Sequence, residues 1–123
     1  MKKNIILTLI ILITLTIPVF SSSRTVYQGE EPTQINTSIG FGTELVFDIE
    51  IQEAWTPNSN YDINYNEGMS KLIITPQKRG VKTNLNVTDK NGNEYIFILN
   101  EIESDNFSDI DLKVRVKPKE KID

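Results

Sequence analysis

The sequence lacks two residue types that proteins often use for chemistry, because it contains no cysteine and no histidine. Without cysteine there can be no disulfide, so a stable domain must rely on packing and strand pairing. The missing histidine removes the commonest general base and metal ligand, and the missing cysteine removes any thiol nucleophile. The carboxylates, lysines, serines and tyrosines that remain show no spacing that a catalytic mechanism requires. We therefore expect a protein that is not an enzyme and that binds no cofactor and no metal.

An excess of positive charge is also lacking. The 13 basic residues are outnumbered by 17 acidic ones, which gives a net charge of −4. Two of the basic residues, Lys2 and Lys3, belong to an N-terminal segment; without them 11 basic residues remain against 17 acidic ones, a net charge of −6. Nucleic-acid binding depends on clustered Lys and Arg. We therefore expect no nucleic-acid partner, and the composition indicates no small-molecule substrate.

Long hydrophobic runs are absent except at the N-terminus. Lys2 and Lys3 precede an apolar run over residues 5–17, and small residues follow at Ser21-Ser22-Ser23. These three parts predict a secretory signal peptide over residues 1–23, so the protein is expected to be periplasmic or otherwise exported into the cell envelope. The alternative is an uncleaved anchor, in which case membrane contact occurs only through this segment. No cysteine follows the run to accept a lipid.

After this segment the dominant hydrophobic period is two, which is typical of half-buried strands. Apolar residues alternate with polar ones over residues 43–51, 81–88 and 112–117, whereas residues 95–99 are apolar on both faces and predict a central strand covered on each side. We predict an all-β fold, a small antiparallel β-sandwich of about seven or eight strands. It should span residues 24–117, with a short charged tail over residues 118–123.

Turn residues support this interpretation. Asn91-Gly92 separates two alternating runs, which predicts a β-hairpin with a type I′ turn. The same stretch, Asp89 to Glu94, has alternating oxygen ligands like the start of a calcium loop, but its glycine comes too early and no glutamate follows at the twelfth place. The hairpin is the favoured interpretation. Residues 102–110 lack alternation and predict a loop or a single helical turn.

Three residues are candidates for a partner interface: Trp55, Tyr61 and Arg115. Trp55, the only tryptophan, either packs over one end of the sandwich or stands out as an anchor for a partner. Arg115 alternates with Lys113 and Lys117, a pattern that predicts a charged edge strand or a partner-binding edge.

Pairs of carboxylates are the only candidates for a catalytic couple. Glu30-Glu31 is one pair and Asp48 with Glu50 is the other. Alternate residues of a strand share its solvent face, where carboxylates are usually just hydrated. An enzyme that uses carboxylates is therefore the least favoured of the functions that we consider.

Several short motifs follow one another in a particular order: Arg24-Thr25-Val26-Tyr27, Leu45-Val46-Phe47, Ala54-Trp55, Leu72-Ile73-Ile74-Thr75-Pro76, Gly80, Thr83-Asn84-Leu85-Asn86-Val87 and Tyr95-Ile96-Phe97. The most specific part is Pro76, Gly80 and Thr83-Asn84-Leu85, followed by the strand of Tyr95. This order resembles the N-terminal domain of the CagX/TrbG family, whose members belong to the core complexes of type IV secretion and conjugal-transfer systems.

The resemblance implies an exported β-sandwich that acts as a scaffold by contacting other envelope or secretion-channel proteins, with no reaction and no cofactor. We therefore expect a non-catalytic structural subunit or assembly factor of a type IV secretion or conjugation-like envelope complex. The alternative is a free exported β-sandwich that binds or inhibits another protein and is unrelated to secretion.

Overall fold

The computed structural model describes residues 23–29, 31–66 and 68–118. They form nine strands and one 3-10 helix: β1 Ser23–Tyr27, β2 Thr33–Thr37, β3 Thr43–Phe47, β4 Ile51–Trp55, β5 Tyr61–Asn64, β6 Lys71–Pro76, β7 Lys82–Asp89, β8 Glu94–Glu101, the 3-10 helix Phe107–Asp109 and β9 Lys113–Lys117. The predicted signal segment, apart from Ser23, and residues 119–123 of the predicted tail lie outside this part of the chain.

The strands form two sheets that pack together as a β-sandwich, which confirms the predicted fold class. Sheet A has the order β1-β9-β3-β6-β5, and sheet B has the order β2-β8-β7-β4. The prediction of purely antiparallel pairing is wrong, because β1 with β9, β3 with β9 and β2 with β8 are parallel. Both sheets are therefore mixed.

The strand count exceeds the prediction because the run over residues 43–51 is two strands and not one. β3 belongs to sheet A and β4 belongs to sheet B, so the chain must cross between the sheets at residues 48–50. The backbone there is held from both sides: Ile51 N–H donates to Met69 O (2.8 Å) and Lys90 N–H donates to Glu50 O (2.9 Å). Because hydrophobic alternation continues through residues 48–50, the sequence pattern alone did not show that the chain changes sheets there.

The core lies between the inner faces of the two sheets. It is formed by alternate residues of almost every strand: Ile35, Leu45, Phe47, Ile51, Tyr61, Leu72, Ile74, Leu85, Val87, Tyr95, Phe97, Leu99, Val114 and Val116. Phe47 makes edge-to-face contacts with Tyr95 (5.0 Å between ring centroids) and Phe97 (6.2 Å) across the two sheets. Edge-to-face packing is a preferred aromatic geometry and adds to the burial of apolar area.

The hairpin formed by β7 and β8 confirms the prediction, but its turn type differs. Gly92 has a φ of +83°, whereas Asn91 has no positive φ, since none of the described non-glycine residues does. Gly92 N–H donates to Asp89 O (3.0 Å) and Asp89 N–H donates to Asn93 O (3.1 Å). This is a type I turn followed by a glycine in the left-handed region, which forms a bulge.

The strand of Arg115 is not an edge strand. β9 lies between β1 and β3, so both of its edges are paired and the predicted charged edge is wrong. Its alternation instead places Val114 and Val116 in the core and Arg115 on the outer face of sheet A. The 3-10 helix Phe107–Asp109 confirms the single helical turn predicted before this strand.

Candidate functional site

The outer face of sheet B, which points away from the core, carries a row of three side chains from neighbouring strands. Trp55 of β4 lies opposite Asn86 of β7, and Asn86 lies opposite Ile96 of β8. Trp55 is 48% exposed and Ile96 is 43% exposed, although both are large and hydrophobic. We call Trp55, Asn86 and Ile96 the apolar row of sheet B.

A second row beside it is acidic. Glu53, Thr88 and Glu94 lie opposite one another on the same three strands. Each is two residues away from a member of the apolar row and therefore on the same face. We call these residues the acidic row of sheet B. A shallow depression of about 220 Å³ is lined by both rows. Within the part of the chain that the structure describes, neither Glu53 nor Glu94 forms an ion pair.

The outer face of sheet A is different in charge. Val46 of β3 lies between Arg115 of β9 and Lys71 of β6, and the strand register places all three in one row. We call Arg115, Val46 and Lys71 the basic row of sheet A. Ile73, two residues beyond Lys71 on the same face, is 40% exposed. Neither Arg115 nor Lys71 forms an ion pair with another described residue.

The three residues predicted for a partner interface therefore lie in three different places. Trp55 lies on the outer face of sheet B and Arg115 lies on the outer face of sheet A, so one compact partner patch cannot contain both. Of the two alternatives for Trp55, packing over one end of the sandwich or standing out, the structure favours the second, because the residue is 48% exposed on the outer face of sheet B.

Tyr61 belongs to the core, which corrects its prediction as an interface residue. It is 4% exposed, and its hydroxyl lies 3.0 Å from Thr37 Oγ1 and donates to Val81 O at 3.4 Å. Burial raises the pKa of the Tyr61 hydroxyl above its usual range. Tyr61 is thus an internal link between β5, β2 and the start of β7. The sequence could not show this, because Tyr61 alternates with polar residues in the same way whether its side of the strand faces the core or the solvent.

The carboxylate pair Asp48 and Glu50 does not converge on a site. Asp48 forms an ion pair with Lys117 (2.6 Å), and Glu50 forms one with Lys90. Each carboxylate is partly exposed and has its own cation, so the two do not converge as an acid–base couple. Of the other candidate pair, Glu30 lies outside the described residues.

A groove of about 700 Å³ lies where the edges of β1 and β2 meet. Arg24 binds the Asp111 carboxylate with two nitrogens (2.8 and 3.0 Å) and also donates to Gln34 O (2.6 Å). Asp111 in turn accepts from Asn36 N–H and donates its own N–H to Asn36 O, both at 2.8 Å. The open edge of β2 is thereby satisfied within the chain, as natural sheets protect their edges. This ion pair joins residues too far apart in sequence for pattern reasoning to find.

The described residues were also compared with what a metal site and a membrane-spanning helix require. No group of three or more acidic side chains there is placed to hold a metal ion. The residues of the predicted calcium-loop alternative form the hairpin turn instead. No helix in the described ranges is long and apolar enough to cross a membrane.

The outer faces of the two sheets carry large hydrophobic side chains that the packing of the core does not account for. Exposed Trp and Ile side chains in one rigid row are typical of partner contacts, whereas single exposed apolar residues need no explanation. No protein-family model matches the chain, and no curated protein matches it significantly. These faces are therefore the candidate functional surfaces of the chain.

Proposed function

We propose that this chain is a non-catalytic, exported subunit of a type IV secretion or conjugation-like envelope complex, and that it acts through protein–protein contacts. The observation that carries the proposal is the apolar row of sheet B, where Trp55 and Ile96 are about half exposed on the face of a sheet. Tryptophan is among the residues most enriched at energetic hot spots of interfaces.

The rigidity of this row supports a binding role. β7 and β8 are the two central strands of sheet B, and their inner faces carry the fully buried residues Leu85, Val87 and Phe97. The backbone of Asn86 and Ile96 is therefore ordered before a partner arrives, and the pairing of β4 with β7 holds the backbone of Trp55 beside them, so binding costs little backbone ordering. The charged residues Glu53 and Glu94 beside the row can form a polar rim around an apolar centre, which is the usual anatomy of an interface.

The motifs that resemble the CagX/TrbG family support the envelope part of the proposal. The most specific ones lie together on consecutive elements: Pro76 ends β6, Gly80 lies in the next turn with a φ of +72°, Thr83-Asn84-Leu85 belongs to β7 and Tyr95 belongs to β8. They are consecutive along the chain, with Pro76 in sheet A and the motifs of β7 and β8 side by side in sheet B. Asn86 and Ile96 of the apolar row lie on β7 and β8, and Trp55 lies on the neighbouring strand β4.

The test is affinity purification of the tagged full chain from mildly solubilised cell envelopes, with bound proteins identified by mass spectrometry. We expect other secretion-channel subunits to be recovered with the wild type and to be lost with Trp55→Ala. The control is Phe107→Ala, which removes an aromatic ring that is 57% exposed at one end of the sandwich.

Two outcomes would overturn the proposal. Recovery of the same partners with Trp55→Ala would remove the apolar row from the interface. A chain recovered without any envelope protein would favour the alternative, a free exported binding or inhibitor module, and would leave the family resemblance as a statement about fold only.

A further inference from the structure

The turn between β7 and β8 contains the only Asn-Gly pair in the sequence, Asn91-Gly92. Both residues are exposed, and no described atom beyond its chain neighbours lies within 4 Å of the position that a Cβ atom would take at Gly92. The Asn91 side chain forms no hydrogen bond with another described residue, whereas the Asn91 N–H donates to Asp89 Oδ1 (2.9 Å). Asparagine is a chemically labile residue, and a free amide beside an unhindered glycine is where it reacts most readily.

Other asparagines between strands are held differently. Three of them have a hydrogen-bonded side chain and are followed by a residue other than glycine: Asn58, Asn93 and Asn106. Asn58 Oδ1, for example, accepts from Asn60 N–H at 2.9 Å. A side chain on the following residue hinders attack by that residue's backbone nitrogen. Asn91 therefore differs from these asparagines in both respects.

We propose that Asn91 is a site of spontaneous modification, at which the side-chain amide is converted into a carboxylate, and that opening of this turn sets the rate. The backbone nitrogen of Gly92 attacks Cγ of Asn91 and forms the N–Cγ bond of a five-membered succinimide ring. The Cγ–Nδ2 bond breaks, and Nδ2 leaves as ammonia with the proton of the Gly92 N–H. Water then opens the ring at either of its carbonyl carbons, which yields aspartate or isoaspartate. No oxidant or reductant is needed.

The folded turn restrains the first step. Gly92 N–H donates to Asp89 O (3.0 Å), and this bond must break before the nitrogen can attack. The Asp89 carboxylate also accepts from Asn91 N–H and Asn93 N–H, which holds the backbone on both sides of Gly92. Local opening of an exposed turn costs less free energy than unfolding of the whole domain. The reaction therefore requires the turn to open and does not require the sandwich to unfold.

The two products change the turn differently. Aspartate at position 91 keeps the backbone as it is, and the exposed side chain has no hydrogen bond to lose. Isoaspartate routes the chain through Cβ and Cγ, which adds one CH₂ group to the backbone between Asp89 and Asn93. The N–H groups that bind the buried Asp89 carboxylate then lose their spacing. Isoaspartate should therefore destabilise the hairpin that joins the two central strands of sheet B.

The test is incubation of the purified, folded protein in mildly alkaline buffer, followed by peptide mapping with mass spectrometry that separates aspartyl from isoaspartyl peptides. We expect modified peptide to accumulate at Asn91, while Asn58, Asn93 and Asn106 stay unchanged. The same protein in guanidinium chloride should be modified at Asn91 at least about tenfold faster, because the hydrogen bonds that restrain Gly92 are lost.

Tyr95→Phe tests the restraint without removing Asp89. It deletes one hydrogen bond to the Asp89 carboxylate and leaves the Asn91-Gly92 pair intact, so Asn91 should be modified about fivefold faster than in the wild type. The matched control is Asn91→Gln, whose longer side chain would have to close a six-membered ring and should stay unmodified. Circular dichroism checks that both variants are folded.

Three results would contradict the proposal. Folded wild-type protein in which Asn91 stays intact, while the denatured chain is modified, would overturn the site. Equal rates in the folded and denatured chain, or in wild type and Tyr95→Phe, would overturn the control by the turn. An isoaspartyl form, separated chromatographically, that unfolds at the same urea concentration as Asn91→Asp would contradict the expected damage. None of these results depends on the apolar row, so this proposal and the proposed function can fail separately.

Discussion

Two regions of sheet B use their polar groups in opposite ways. At the turn between β7 and β8, the Asp89 carboxylate is fully buried and accepts hydrogen bonds from Asn91 N–H, Asn93 N–H, Asn93 Nδ2 and Tyr95 Oη, all between 2.8 and 3.0 Å. On the outer face of sheet B, Glu94 of β8 and Glu53 of β4 are exposed and have no ion pair with any described residue. The charge at the turn is thus hydrogen-bonded within the chain, whereas the charges on the outer face are available to solvent or to a partner.

The two regions separate residues that stabilise the fold from residues that remain exposed and available for contact. A buried carboxylate is tolerated only when its oxygens are well bonded, and the bonds to Asp89 also fix the turn that joins the central strands. An exposed Trp beside unpaired carboxylates contributes little to folding. Substitutions at the turn should therefore change stability, and substitutions on the face should change association.

The largest expected effect comes from Asp89→Ala. It removes the acceptor of four hydrogen bonds and leaves the buried Tyr95 hydroxyl and the turn N–H groups without a partner, which should lower the free energy of unfolding by about 2–4 kcal/mol. Urea denaturation followed by tryptophan fluorescence or circular dichroism measures it. The control is Asp48→Ala, which breaks an exposed ion pair and should cost less than about 1 kcal/mol. Equal losses for the two variants would remove the distinction between buried and exposed carboxylates.

A smaller effect is expected when acid protonates Asp89. Burial of its carboxyl raises the pKa, but hydrogen bonds from Asn93, Tyr95 and Asn91 lower it by more, so the pKa lies below its usual range. A lowered native pKa stabilises the fold above the unfolded pKa of about 3.9, and this contribution is lost as the pH falls through the native value. We expect the difference in stability between wild type and Asp89→Asn to shrink from pH 5 downward. A difference that does not change with pH over the acid range would show that the charge of Asp89 is not what stabilises the turn.

The next effect in size separates the two residues of the Asn-Gly pair. Gly92 has a φ of +83°, which a β-branched residue adopts only with strain, so Gly92→Val should cost about 1–2 kcal/mol. Asn91 has no positive φ, and Asn91→Val should cost less than about 0.5 kcal/mol. The midpoint of urea denaturation measures both. Equal losses would instead indicate the type I′ turn, in which both residues need a positive φ.

The hairpin shows how far local sequence determines structure here. Asn91-Gly92 between two alternating runs was enough to locate the turn, because few other pairs favour it so strongly. The turn type depends on the Asp89 side chain, whose carboxylate accepts hydrogen bonds from the N–H groups of Asn91 and Asn93. These bonds hold Lys90 and Asn91, the two central residues, in a type I turn. A competing side-chain interaction of this kind is visible only once the partners are placed.

Sheet order was less predictable than the strands themselves. Alternation identified the strand of Lys113, Arg115 and Lys117, but its charged face was interpreted as the sign of an edge. β9 is instead paired in parallel with both β1 and β3, and parallel partners are distant in sequence. No local pattern specifies which distant strands meet, whereas the hydrophobic period specifies which face of each strand is buried.

The candidate interface was predicted only in part for the same reason. Trp55 ends the strand before Pro57 and Tyr61 begins the strand after it. The sequence pattern does not show which of the two side chains is buried. The register places Tyr61 on the inner face of sheet A and Trp55 on the outer face of sheet B. The acidic row and the basic row each combine residues from three strands, and therefore depend on strand pairing that the sequence pattern did not provide.

Only a small effect on stability is expected at Trp55, and it tests the comparison most directly. Trp55 is 48% exposed at the last position of edge strand β4, opposite Asn86, so Trp55→Ala should lower the free energy of unfolding by less than about 1 kcal/mol. The same variant should lose its partners, because its exposed ring is what a partner would bury. Urea denaturation followed by circular dichroism measures stability without relying on the indole. A loss as large as that of Asp89→Ala would make Trp55 part of the folding core, and the outer face of sheet B would then differ from the turn only in its exposure.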